Sequence, residues 1–155
     1  MKYKKDICEN IFRGYDIRGI YPTEIDEDTA YTIGLGFGSH IKNLGKTTCI
    51  VGHDNRISSP NLYNALVEGI TQTGINIITL GLCTTPMYYY ACIKLKVYSG
   101  VMVTASHNPA KYNGYKAYGP DGCQMTDDAA AIVYDEIQKT DVLTGAKYMS
   151  FAEGV

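Results

Sequence analysis

The segment from Thr104 to Pro109 places a hydroxyl, an imidazole and an amide within six residues, in the order Thr-Ala-Ser-His-Asn-Pro. It follows the run from Val97 to Val103, which predicts a buried strand. Pro109 prevents a helix from continuing through the segment. A strand that ends in such side chains presents them at the edge of a sheet. Ser106 is therefore a candidate for a side chain that carries a phosphoryl group.

The pair Ser106 and His107 also suggests a serine hydrolase, but two observations argue against it. Adjacent side chains generally point in different directions, so we expect His107 to be poorly placed to deprotonate Ser106. The nucleophile-elbow pattern G-x-S-x-G is absent as well. Zinc chemistry is not indicated either, because the three histidines lack the spacing of metal ligands: His40, His53 and His107.

Five cationic side chains fall in predicted loops or directly beside one, rather than on the polar faces of helices: Arg13, Arg18, Arg56, Lys111 and Lys116. Guanidinium and ammonium groups neutralise a phosphate and donate hydrogen bonds to it. Together with a serine at the end of a strand, these side chains favour phosphate chemistry.

A glycine-rich run, Gly34-Leu35-Gly36-Phe37-Gly38, resembles a dinucleotide-binding loop. Such a loop must follow a strand, whereas this run lies inside a helical pattern. We therefore expect these glycines to allow close packing between helices.

Strands and helices alternate along the chain. The predicted strands cover residues 47–51, 75–80, 97–103 and 115–118, and the predicted helices cover residues 27–42, 60–73, 86–95 and 127–138. Asp26, Ser59 and Thr126 are predicted helix N-caps. The segment Arg13 to Gly19 is rich in turn residues, and Asn113-Gly114 is a turn signal.

This alternation predicts an α/β fold, a three-layer α/β/α sandwich with a mixed, mostly parallel sheet. The segment after Asn113 can return as an antiparallel strand. In such sheets the functional groups lie beyond the carboxyl ends of the strands. We therefore expect the loops Gly52 to Ser59 and Thr104 to Gly114 to form the site.

Composition excludes several classes of function. The chain has 155 residues, 45% of them hydrophobic, and a net charge of −2. It therefore lacks the excess of basic residues that would indicate binding to nucleic acid or to an anionic membrane. No apolar run approaches the roughly 20 residues of a transmembrane helix, and the N-terminus lacks the apolar core of a signal peptide. The five cysteines are odd in number and lack C-x-x-C spacing, which favours a reducing cytoplasm.

Four blocks of the chain resemble the N-terminal domain of the α-D-phosphohexomutases, the phosphomannomutase/phosphoglucomutase group. The blocks are Ile11 to Gly19, Gly52 to Pro60, Gly81 with Thr84-Thr85-Pro86, and Thr104 to Pro109 followed by Tyr112 to Lys116. The first and last blocks are highly specific, and all four occur in the family's order. The resemblance covers about residues 10–140.

The resemblance implies a mutase that moves phosphate between C6 and C1 of a hexose through a bisphosphorylated sugar. Ser106 would be the phosphoserine, and its phosphate would bind Mg²⁺. His107 would contact substrate or phosphate, and Arg18 and Lys116 would assist proton transfer. The partners would be a hexose phosphate and a hexose 1,6-bisphosphate.

Further residues are assigned to the site with less direct roles. Tyr15, Arg13 and Asn108 would bind substrate, and we also expect Asn108 to shape its loop. We expect Asp54 and Arg56 to hold their own loop in place rather than to contact substrate.

The family enzyme has four domains, and this chain resembles only the first. The metal loop D-G-D-G-D-R and the sugar-reading pattern G-E-x-S-G-H are absent. We expect residues 1–140 to form the phosphoserine-bearing domain and residues 141–155 to begin a connection, cut short, toward a second domain. Asp121, Asp127 and Asp128 are interpreted as turn and cap residues rather than metal ligands.

Two hypotheses about function remain open. The chain is either the phosphoserine-bearing domain of a mutase, inactive in isolation, or a stand-alone module that binds phosphate or a partner without catalysis. Tyr15 to Gly19 favours mannose and glucose phosphates as the sugars.

Overall fold

A five-stranded sheet forms the centre of the structure, a computed structural model that describes residues 1–118, 124, 129–139 and 151–155. The strands are β1 (Ile17–Ile20), β2 (Thr48–His53), β3 (Asn76–Leu82), β4 (Gly100–Val103) and β5 (Tyr112–Tyr118). Their order is β1-β5-β4-β2-β3. β2 runs parallel to β3 and β4, whereas β5 is antiparallel to β1 and β4. Four strands therefore share one direction, which confirms the predicted mixed, mostly parallel sheet.

Helices cover both faces of the sheet. They are α1 (Glu27–Asn43), α2 (Ser59–Gln72), α3 (Thr85–Leu95), α4 (Ala129–Gln138) and the short α5 (Phe151–Gly154), preceded by a 3₁₀ turn at Glu9–Ile11. One core joins α1, α2 and α4 to sheet residues such as Val51 and Val103. A smaller core joins Tyr88 and Cys92 of α3 to Met102 on the other face. The predicted three-layer sandwich is thus confirmed.

Glycines allow α1 and α2 to approach until their backbones touch. A Cβ on Gly34 would overlap the carbonyl oxygen of Leu66, and a Cβ on Gly69 would overlap that of Tyr31. The prediction that the glycine-rich run serves helix packing rather than cofactor binding fits this geometry.

The turn predictions around β1 and β5 were wrong. Ile17–Ile20 forms an edge strand because it pairs with Tyr112–Tyr115, a partner that is remote in sequence. Asn113 and Gly114 lie inside β5. A Cβ on Gly114 would overlap the carbonyl oxygen of Ile17, so the glycine permits close strand approach rather than a turn.

Two boundaries near the predicted site also differ. Ser59 is the first residue of α2 and not its cap, and its hydroxyl is used elsewhere, donating to Asp54 at 2.6 Å. The strand before Thr104 begins at Gly100 rather than at Val97. The predicted α3, by contrast, is confirmed within one residue at its start.

Several predictions concern residues outside the described part of the chain. These are the Thr126 cap, the acidic residues Asp121, Asp127 and Asp128, and most of the segment 141–155. Among the described residues, no helix is both long and apolar enough to cross a membrane.

The predicted N-cap of α1 is confirmed and gives a stability prediction. Asp26 accepts a hydrogen bond from the Thr29 amide at 2.8 Å and pairs with Lys4. We expect Asp26→Ala to lower the free energy of unfolding by about 1 kcal/mol, measured by urea denaturation. Asp26→Asn is the control, because it can accept the same backbone hydrogen bond without the charge.

The charge of Asp26 makes part of this stability depend on pH. Burial acts to raise the pKa of Asp26, but the hydrogen bonds from Lys4 and Thr29 prevail and hold it below its ordinary value of 3.8. The folded state therefore binds fewer protons than the unfolded state, and the contribution is present above pH 3.8 and lost as pH falls through the folded pKa. The stability difference between the native chain and Asp26→Asn should shrink in acid, and a constant difference would contradict this assignment.

Candidate functional site

The Ser106 loop leaves the carboxyl end of β4 and turns sharply. Ser106 has a φ of 55°, in the left-handed region that non-glycine residues rarely adopt. Its amide donates to the Thr104 hydroxyl at 2.9 Å. The carbonyl oxygen of Ala105 accepts from the Asn108 side-chain Nδ2 at 2.8 Å and from the Asn108 backbone N–H at 3.0 Å. Asn108 therefore shapes the loop, as predicted, while the side chain of Ser106 stays exposed.

His107 lies closer to Ser106 than the sequence argument allowed. The Ser106 Oγ and the His107 Nδ1 are 3.4 Å apart. The expectation that the two side chains diverge was wrong. Adjacent side chains point to opposite sides in extended backbone, and the positive φ shows that Ser106 is not extended. The absence of G-x-S-x-G still argues against a hydrolase.

Arg56 binds the backbone of the Ser106 loop through both terminal nitrogens of its guanidinium group. Its Nη2 donates to the carbonyl oxygens of Ser106 at 2.9 Å and Asn108 at 2.8 Å. Its Nη1 donates to those of Pro109 at 2.9 Å and Tyr112 at 3.2 Å. Arg56 thus holds the loop of Ser106 and not only its own loop, a role that the sequence analysis missed.

Asp54 connects this guanidinium to the rest of the site. Its carboxylate accepts from Arg56 Nε at 3.1 Å, from the Ser59 hydroxyl at 2.6 Å and from the Thr104 hydroxyl at 2.7 Å. Thr104 in turn accepts from the Ser106 amide. The loops after β2 and β4 therefore form one hydrogen-bonded unit, as expected for loops at the same edge of a parallel sheet.

An open cleft separates the Ser106 loop from the start of α3. Ser106 and His107 line one side, and Thr84, Thr85 and Met87 line the other. Thr84 caps α3 by accepting from the Met87 amide at 3.4 Å. Thr84 and Thr85 of the third sequence block therefore lie across the cleft from Ser106.

Arg18 and Lys116 lie on the sheet face that adjoins this cleft. Arg18 is opposite Gly114, and Lys116 is opposite Met102, so alternation along β5 places both cations on the same face as Met102. Met102 itself lines the cleft. Arg18 and Lys116 thus share the face of Met102, and their part in proton transfer stays a prediction; no direct contact of either with Ser106 is found among the described residues.

Arg18 and Lys116 are each held by contacts with residues at or near Tyr15. Arg18 forms an ion pair with the buried Asp16, and that hydrogen bond raises the pKa of Arg18 above its ordinary value. Lys116 lies 6.0 Å from the centre of the Tyr15 ring and donates to Gln124 at 3.4 Å. Gln124, which the sequence analysis did not single out, also donates to the Tyr15 carbonyl oxygen at 3.2 Å.

Comparison with known proteins agrees with this arrangement. Residues 9–143 match the domain family described as phosphoglucomutase/phosphomannomutase, alpha/beta/alpha domain I. The chain belongs to the phosphoglucomutase/phosphomannomutase family. A phosphomannomutase/phosphoglucomutase of Pseudomonas aeruginosa is 38% identical over 136 residues, which cover 88% of this chain and 29% of that protein.

Other members of the family give the same result. A phosphoglucomutase of Neisseria meningitidis is 41% identical over 111 residues, 72% of this chain and 24% of the relative. The crystal structure of a phosphoglucomutase/phosphomannomutase family protein from Burkholderia thailandensis superposes with a TM-score of 0.80 at 31% identity. The superposed region covers 94% of this chain and 32% of the Burkholderia thailandensis chain. This chain therefore spans about a third or less of the length of these family members.

Metal-ligating side chains do not cluster in the described residues of this family member. No group of three or more His, Cys, Asp or Glu side chains among them is arranged to hold a metal. Asp54 is a carboxylate that lines the cleft, and its oxygens accept hydrogen bonds from Arg56, Ser59 and Thr104.

The remaining predicted site residues lie at the margins. Arg13 is exposed in the bend before β1, where its amide donates to the Asp16 carbonyl oxygen at 2.9 Å. Lys111 lies 5.6 Å from the centre of the Tyr112 ring. Arg13 is therefore free to face solvent, and its predicted part in substrate binding stays a prediction.

Proposed function

We propose that this chain supplies the phosphoserine of a phosphohexomutase, with Ser106 as the residue that carries the phosphoryl group. The observation that carries the proposal is the placement of Ser106. Its exposed hydroxyl borders an open cleft, on a loop whose backbone is fixed by Arg56 and Thr104. A nucleophile held rigidly at the edge of a cleft is what in-line phosphoryl transfer needs, because that chemistry depends mainly on positioning and charge.

The proposed reaction moves one phosphoryl group at a time. The Ser106 oxygen bonds to phosphorus of a hexose 1,6-bisphosphate, the phosphorus–oxygen bond to the sugar breaks, and the sugar oxygen leaves with a proton. The Ser106 proton passes to a base. In the reverse direction, the free hydroxyl of a hexose phosphate takes the phosphoryl group from Ser106. Transfer at C1 and C6 in turn moves phosphate between these positions.

Other residues have supporting roles in this proposal. Arg18 and Lys116 assist proton transfer from the sheet face beside the cleft, and His107 contacts the phosphoryl group from its position next to Ser106. Tyr15, Arg13 and Asn108 border the substrate, with Asn108 acting chiefly through the loop. Guanidinium and ammonium groups suit these tasks because they neutralise the charge of a phosphate.

Sugar recognition and metal binding are assigned to other parts of a longer enzyme. The Pseudomonas aeruginosa relative is matched over only 29% of its length, which supports a multidomain arrangement with residues 1–140 as the phosphoserine-bearing unit. Mg²⁺ would bind through the phosphate on Ser106 with its remaining ligands from another domain, and it would neutralise charge on the phosphoryl oxygens. Cys8, Cys49, Cys83 and Cys92 are free thiols, which supports a reducing compartment such as the cytoplasm.

Intact mass spectrometry tests the proposal directly. We expect the purified chain to gain one phosphoryl group on incubation with glucose 1,6-bisphosphate and Mg²⁺, and peptide mapping to place it on Ser106. Ser106→Ala should gain none, whereas Ser39→Ala, a serine on α1, should behave as the native chain does.

The same purified chain can also be assayed for complete mutase turnover, which is distinct from acceptance of phosphate by Ser106. With a hexose 1-phosphate as substrate we expect no steady-state turnover approaching the roughly 1–10³ s⁻¹ typical of enzymes, because the sugar-recognition loops are not in this chain. A chain that never carries phosphate on Ser106 would instead favour a non-catalytic binding module. Full mutase turnover by the isolated chain would contradict the assignment of the remaining functions to other domains.

A further inference from the structure

The guanidinium of Arg56 has no hydrogen-bond donor left for a substrate. A guanidinium has five N–H groups. Four of them donate to the carbonyl oxygens of Ser106, Asn108, Pro109 and Tyr112, and the fifth donates to Asp54. The side chain is also only 12% exposed. A phosphate-binding arginine keeps its fork open toward the ligand, so Arg56 has a different task.

The acceptors of Arg56 show what that task is. Four carbonyl oxygens from one short loop point toward a single cation, an arrangement that carbonyl dipoles do not adopt on their own because they repel one another. Ser106, at the start of this set, has a φ of 55°, which costs free energy in a residue with a side chain. Such strain persists only where the surroundings impose it, and Arg56 is the group that contacts the loop at both ends.

Asp54 completes the arrangement. It balances the charge of Arg56 through Nε at 3.1 Å and fixes the entrance of the loop through the Thr104 hydroxyl at 2.7 Å. Thr104 then accepts from the Ser106 amide at 2.9 Å. The backbone of Ser106 is thereby held from its amide side by Asp54 and Thr104, and from its carbonyl side by Arg56.

We propose that Arg56 and Asp54 form a clamp that sets the backbone of Ser106 for phosphoryl transfer, an inference that rests on the proposed function of Ser106. Both are positioning residues, since they act through the loop and not on the substrate. The geometry requires an arginine, because a lysine carries the same charge but has three donors on one nitrogen and cannot span acceptors on both sides of a planar fork.

The test compares Arg56→Lys with Lys46→Gln, which alters an exposed charge outside the site. Hydrogen exchange is measured at the Ser106 and Asn108 amides, and the rate of Ser106 labelling by glucose 1,6-bisphosphate is measured per folded molecule. We expect Arg56→Lys to lose amide protection in the loop but not in α1, and to label about 10- to 100-fold more slowly. Lys46→Gln should match the native chain in both measurements.

Asp54→Asn provides the second variant if Arg56→Lys does not fold. It keeps the shape of the carboxylate but removes its charge and one acceptor, and we expect the same local loss of protection with slower labelling. Unchanged loop protection in the folded variants would overturn the clamp. Native labelling rates per folded molecule, with stability alone reduced, would also overturn it, since a purely structural role predicts that result. Failure of the native chain to label would overturn the proposed function instead, and the exchange measurement would still decide whether the clamp exists.

Discussion

Lys116→Met is expected to slow phosphoryl transfer to Ser106 by about 10²–10⁴-fold, the range for loss of a group that assists proton transfer. Methionine keeps most of the volume and the unbranched shape of lysine but removes the charge and all donors. Lys116 lies opposite Met102 on the sheet face that adjoins the cleft, and we expect its ammonium group to reach a phosphoryl group bound there. The rate of labelling by glucose 1,6-bisphosphate, followed by intact mass, gives the measurement.

Two further variants serve as comparisons for Lys116→Met. Lys116→Arg keeps the positive charge, so it should recover part of the rate if electrostatic stabilisation dominates, and little of it if a mobile proton is needed. Lys46→Met removes an exposed lysine outside the site and should label at the native rate. Native labelling by Lys116→Met would show that Lys116 has no part in the transfer step.

The candidate nucleophile could be found from the sequence because its signal is local. Thr104 to Pro109 concentrates polar side chains directly after an apolar strand, and the alternating pattern places that strand's end at the functional edge of the sheet. The type and order of the main elements follow from similarly local signals, such as the Asp26 cap and the glycine that ends α2.

The clamp could not be predicted in the same way. Arg56 and the loop that it holds are separated by about 50 residues, and a hydrogen bond from a side chain to a carbonyl oxygen leaves no mark on the type of the accepting residue. The loop position of Arg56 predicted a structural role within its own loop, and the contacts with Asp54 agree with it. The additional contacts with the Ser106 loop were not predicted. Only the alignment of β2 beside β4 brings the two segments together.

Similar limits explain the errors at β1 and at His107. The strand Ile17–Ile20 has four residues, including Arg18 and Gly19, and its extended form depends on pairing with β5. Ser106 and His107 meet in a loop where Ser106 has a positive φ, a conformation that serine rarely adopts unless tertiary contacts impose it. In both cases the deciding interaction is non-local, and at His107 it coincides with the loop of the candidate site.

The largest effect on the free energy of unfolding is expected for a substitution at the interface between α1 and α2. Intrinsic helix propensity alone would make Gly69→Ala stabilising by about 1 kcal/mol. However, the new Cβ would overlap the carbonyl oxygen of Tyr31 and lie 3.0 Å from the Cα of Gly34. Both neighbours are backbone atoms of α1, so no side chain can rotate away and the two helices must separate.

We therefore expect Gly69→Ala to reverse the sign set by propensity and to destabilise the fold by about 3 kcal/mol or more, the upper range for overpacking. That is a large share of the roughly 5–15 kcal/mol that stabilises a typical domain. Urea denaturation measures the change, and Asn64→Ala, at an exposed position of the same helix, should leave stability nearly unchanged. A Gly69→Ala variant as stable as the native chain would mean that α1 and α2 can move apart without loss of packing. The glycines of α1 would then have to be explained by something other than close contact between these helices.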